Sequence, residues 1–85
     1  MITDKKVQEW ENLAWSDKKP EKKYEKLNKD FKKRGLEVVS CADVEELVDG
    51  VFIKTYKRLI LAKANDEESQ CVIFVPLDYI PYQFA

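Results

Sequence analysis

Val7, Trp10 and Ala14 recur at the spacing of one helix face, and Leu13 widens that stripe, so the pattern predicts a first helix with an inward side. Thr3 stands before it as an N-cap, and Asp4 favours the positive helix end. Ser16 and Asp17 interrupt the periodicity. Pro20 suits the first turn of a second helix, where its missing N–H costs little. Tyr24, Leu27 and Phe31 then repeat the helical spacing up to Arg34, supported by the i, i+4 pairs Glu25 with Lys29 and Asp30 with Arg34. Gly35 can supply the left-handed residue that ends this helix, with Leu36 folding back on Phe31.

The pattern changes after Gly35. Residues 36–40 read as a short strand, and residues 43–49 as a short helix with Val44, Leu47 and Val48 inward and Gly50 at its end. Residues 51–63 are rich in β-branched and aromatic side chains and pair with residues 69–75 across the loop 65–68, which predicts a β-hairpin. The first arm is long for one strand, which points to a bulge or turn near Lys57 and Arg58. The spacing of Phe52, Tyr56 and Ile60 leaves a helix open there as well. Pro76 ends the second arm, and Pro81 argues against a regular helix in the tail of residues 77–85. The fold class that results is α+β, in one domain over residues 1–85. Two N-terminal helices pack on a small, mainly antiparallel sheet of about three strands, with a short additional helix.

Eighty-five residues leave room for one core, and 45% hydrophobic with 36% charged residues is the composition of a folded chain. The net charge of -1 hides an asymmetry. Residues 1–35 carry eleven cations against seven carboxylates, net +4, whereas residues 36–85 carry four cations against nine, net -5. Such a molecule is dipolar, suited to anions on one side and to basic groups on the other.

Histidine is absent, so the Ser-His-Asp, Cys-His and common zinc-hydrolase constellations cannot be assembled. Gly35 and Gly50 alone build no phosphate loop. No catalytic residue, metal site or cofactor is predicted. Asp66, Glu67 and Glu68 lack the alternation of a calcium loop and read as a solubilising hairpin tip. Cys41 and Cys71 read as buried free thiols, with a redox switch as the alternative if adjacent strands bring them together. The N-terminal residues show no secretory leader and no apolar run reaches membrane-spanning length, which predicts a cytoplasmic protein that does not enter the membrane.

Two clusters stand out as binding candidates. Lys22, Lys26, Lys29 and Lys33 fall opposite the apolar face of the second helix, flanked by Lys18 and Lys19, and form a cationic ridge. Like charges at i, i+4 weaken a helix, so helix stability does not explain them. The ridge is either a solvated face or a surface for a phosphate backbone or an acidic protein. Trp15 lies off the first helix's stripe, and with Tyr79, Tyr82 and Phe84 it forms either an exposed aromatic interface or the closing edge of the core.

This compact Lys/Glu-rich chain without catalytic motifs is similar in general look to small phage or mobile-element accessory proteins that bind and block a host factor. The expected function is therefore a non-enzymatic binding protein that inhibits or adapts a macromolecular partner, with anti-defence or host takeover as the setting the resemblance implies. A protein partner is expected first, and weakly sequence-specific RNA or DNA binding through the lysine ridge is the alternative.

Overall fold

The computed structural model describes residues 2–64 and 69–80. Two helices, α1 (Asp4–Ala14) and α2 (Pro20–Lys33), precede three strands, β1 (Leu36–Val48), β2 (Val51–Ala64) and β3 (Gln70–Pro76). The strands form an antiparallel sheet in the order β1-β2-β3. The α+β arrangement expected from the sequence is the one observed.

Local chemistry sets the helix ends. The Thr3 hydroxyl accepts from the Lys6 N–H at 3.2 Å, satisfying one of the free donors of α1. Lys19 is extended, as a residue before proline must be, and Pro20 opens α2. Gly35, at φ +71°, turns the chain into β1, where a residue with a Cβ would be strained.

The helices cover one face of the sheet. Trp10, Ala14, Tyr24, Leu27 and Phe31 meet Leu36 and Val38 of β1, Ile60 and Ala62 of β2, and Cys71, Ile73 and Val75 of β3. Alternation in β3 places Val72 and Phe74 on the other, open face. Trp10 and Phe31 meet edge to face at 4.9 Å between ring centroids, as do Tyr24 and Tyr79 at 5.3 Å.

Polar groups tie this core together. Asp30 accepts from Trp10 Nε1 at 2.6 Å and pairs with Lys6 at 3.1 Å. The residues after β3 return to α2. The Tyr24 hydroxyl donates to Asp78 at 2.6 Å, the Tyr79 hydroxyl donates to the Asn28 side-chain oxygen at 3.0 Å, and Asn28 Nδ2 donates to the Ile80 carbonyl at 2.7 Å. Burial, together with the bond to the Asp78 carboxylate, pushes the Tyr24 phenol well above its ordinary value, so it stays a neutral donor.

The short helix predicted over residues 43–49 is not formed, nor is a helix formed by Phe52, Tyr56 and Ile60. Residues 36–48 are one continuous strand, and Leu47 and Val48, expected inward, are exposed. Gly50 sits in a turn between strands instead of ending a helix. The physical reason is pairing: Val48↔Val51, Leu47↔Phe52 and Glu46↔Ile53 form a β-ladder that a seven-residue helix, too short to be stable alone, cannot match. Cys41 is exposed, against the expectation of a packed thiol, whereas Cys71 is buried. The two lie on β1 and β3, on opposite sides of β2, so about two strand spacings separate them and no disulfide can join them.

Candidate functional site

The β1–β2 hairpin extends past the end of β3. β3 stops at Pro76, opposite Lys57, and from there outward only two strands remain. Asp49 and Gly50 form the tip, both with positive φ (50° and 78°), the combination of the two-residue turn whose twist matches a hairpin. At the root, Arg58 Nε bonds the Asp43 carboxylate at 2.8 Å. Register then jumps from Asp43↔Arg58 to Glu45↔Lys54, so Val44 alone faces Thr55, Tyr56 and Lys57. Tyr56 takes the left-handed conformation (φ 60°), and the Thr55 hydroxyl donates to the Val44 carbonyl at 2.7 Å. This is the bulge expected near Lys57 and Arg58, and it sets the arm apart from the body of the sheet.

The arm is apolar and uncovered. Leu47 (64% exposed), Val48 (42%), Val51 (61%), Phe52 (69%), Ile53 (47%) and Tyr56 (70%) all reach solvent. Strand alternation places Leu47 and Phe52 on one face with Glu45 and Lys54, and Val48, Val51 and Ile53 on the other with Glu46. Full burial of such a side chain stabilises by roughly 1.5–3 kcal/mol, and a lone two-stranded ribbon is marginal in water. A cluster of large apolar side chains on a projecting ribbon has the composition of an interface.

The lysines of the predicted ridge lie at the surface of α2 and the turn before it. Lys18, Lys19, Lys22, Lys26, Lys29 and Lys33 are all exposed. Of these only Lys29 has an ion-pair partner among the described residues, Glu25 at 3.0 Å. The predicted aromatic patch divides. Trp15 is half exposed and donates its indole N–H to the Phe74 carbonyl at 3.0 Å. Tyr79 is buried in the core, and Tyr82 and Phe84 lie outside the described residues, as does the acidic loop 65–68. No described cluster of Cys, Asp and Glu is arranged to hold a metal ion, and no described helix is long and apolar enough to cross a membrane.

The arm carries a local signal in the sequence, although residues 43–49 also satisfy helical spacing. Asp49-Gly50 is the dipeptide of a two-residue hairpin turn, flanked by Leu47-Val48 and Val51-Phe52. Comparison with known proteins adds no relative: no family model, no curated protein and no solved structure matches this chain.

Proposed function

We propose that the protein is a non-enzymatic binding protein that inhibits or adapts a protein partner by presenting the faces of the β1–β2 arm. The observation that carries this reading is the concentration of exposed Leu47, Val51, Phe52 and Tyr56 on a ribbon that nothing else in the described chain covers. A role in anti-defence or host takeover is the biological setting that the general resemblance to small phage and mobile-element accessory proteins suggests.

The test is the double variant Leu47→Ser with Phe52→Ser. Both side chains are exposed and pair only with each other across the ribbon, so the domain should stay folded with a loss of no more than about 1 kcal/mol while capture of the protein partner falls. Nuclease treatment should leave capture by the wild type intact. Undiminished capture of the same partner by the variant would refute the reading.

The freedom of the lysine ridge supports a second reading, weakly sequence-specific binding of RNA or DNA. Reversing Lys22, Lys26, Lys29 and Lys33 to Glu spares the apolar face of α2, so the domain should stay folded. If nucleic acid is the target, wild-type binding should show a log-log salt slope of several units, and the reversal should abolish it.

A further inference from the structure

The sheet has three stretches of strand edge, and the fold treats them differently. Along β3, α1 closes the edge: the Phe74 N–H donates to Glu11 Oε2 at 2.9 Å, and the Phe74 carbonyl accepts from Trp15 Nε1 at 3.0 Å. Along the outer part of β1, Asp43, Glu45 and Glu46 place carboxylates, the usual guard against strand addition. The third edge is β2 within the arm. Inside the body β2 is the central strand, but past Lys57↔Pro76 it becomes an outer one. Its sequence there is Val51-Phe52-Ile53-Lys54, with a single charge.

The turn fixes which backbone groups face outward on that edge. A two-residue turn makes Val48↔Val51, and hence Glu46↔Ile53, the hydrogen-bonded pairs. Leu47↔Phe52 and Glu45↔Lys54 are then the non-bonded pairs, so the N–H and C=O of Phe52 and Lys54 point away from β1. No hydrogen bond from another described element reaches them.

We propose that a second copy of this chain occupies the edge, the two arms pairing antiparallel through β2 about a two-fold axis at Ile53. The edge is self-complementary in that register. Phe52 of each copy bonds Lys54 of the other, so every outward N–H and C=O of both residues is used, and the two Ile53 side chains meet at the axis. The charges agree as well. Across the resulting four strands one row reads Glu45, Lys54, then Phe52 and Leu47 of the second copy, and its symmetry mate reads the reverse. No like charges become neighbours, and each Lys54 lies beside an aromatic ring. The same operation on the β1 edge would centre on Glu46 and set the two Glu46 carboxylates against each other, which opposes pairing. Edge pairing leaves both faces of each arm open, so this inference goes beyond the binding reading and stands independently of it.

Sedimentation of the purified full chain, with no partner added, tests the proposal. A dimer is expected at concentrations on the order of 100 µM. Lys54→Pro removes an outward N–H that makes no bond within the hairpin, and should weaken the dimer about tenfold or more, with circular dichroism unchanged. Lys54→Ala keeps that N–H and should remain dimeric. Ile53→Cys in a Cys41→Ser background supplies an independent measure. The residues at the axis form a non-bonded pair with Cα atoms about 4.5 Å apart, within disulfide reach, so oxidation should yield a covalent dimer. Leu47→Cys in that background, on the far strand, should not couple. A chain monomeric throughout that range, a Lys54→Pro dimer as tight as wild type, or equal coupling at positions 47 and 53 would each overturn the proposal.

Discussion

The indole of Trp15 donates its N–H to the Phe74 carbonyl at 3.0 Å, joining the end of α1 to the outer edge of β3. With Glu11 accepting from the Phe74 N–H, one helix blocks the edge that would otherwise receive another strand. Trp15 thus acts within the fold although it is half exposed. Trp15→Phe keeps an aromatic ring but loses the donor, and should cost about 1 kcal/mol in denaturant unfolding. Amide exchange at Phe74 should accelerate on Glu11→Ala. Neither variant changing stability or exchange would show the edge to be held by other means.

Asp30 connects stability to acid pH. Burial alone would raise its carboxyl, but the hydrogen bonds from Trp10 and Lys6, with the charges of Lys6 and Arg34, outweigh burial and hold it below the ordinary value of 3.8. A lowered folded value means that the unfolded chain binds the proton more readily. The stabilisation is therefore present above about 3.8 and is lost as pH falls through the lowered folded value. Asp30→Asn should cost roughly 1 kcal/mol at neutral pH, allowing for solvent screening, and should flatten the acid limb of stability against pH. The partner group behaves oppositely. Lys6 is raised above 10.5, chiefly by its hydrogen bond to Asp30, so its contribution is full below that value and disappears as pH rises through the folded one.

Tyr56 separates stability from binding. Its φ of 60° places a bulky side chain in the left-handed region at a cost of about 1–2 kcal/mol, while 70% of its surface is exposed and returns little burial. Tyr56→Gly should raise the melting temperature, because relief of backbone strain exceeds the loss of packing. If the arm binds a protein, the same variant should bind less well. A stabilised variant with full affinity would remove Tyr56 from the interface.

The two thiols should differ in reactivity. Burial pushes Cys71 up to about 11, and the sheet hides it, whereas Cys41 is exposed on β1. A thiol reagent at pH 8 should titrate one group promptly in the native protein and both after unfolding. Prompt reaction of both would contradict the packing of Cys71 against the helices.

The amphipathic helices were legible in the chain because their signals are local. Thr3, Pro20 and Gly35 mark the helix ends, and Val7, Trp10 and Ala14, then Tyr24, Leu27 and Phe31, mark the buried faces. The predicted hairpin was legible in part: residues 57–63 pair with 70–76, whereas residues 51–54 pair with β1 alone, and the bulge near Lys57 was legible as well. Lys22, Lys26, Lys29 and Lys33 lie on the exposed side of α2, since the apolar stripe fixes where the opposite face must lie. Residues 43–49 were misread because Val44, Leu47 and Val48 satisfy helical spacing, and only the ladder with β2 decides between strand and helix. Tertiary structure alone determined that the arm outruns β3, that Tyr79 enters the core against Tyr24, and that Trp15 bonds a distant strand. Spacing along the chain tells which side chains share a face, but not whether another element covers it. That depends on where β3 ends relative to β1 and β2, a relation between strands far apart in sequence, and it is what leaves Leu47, Val51 and Phe52 in solvent.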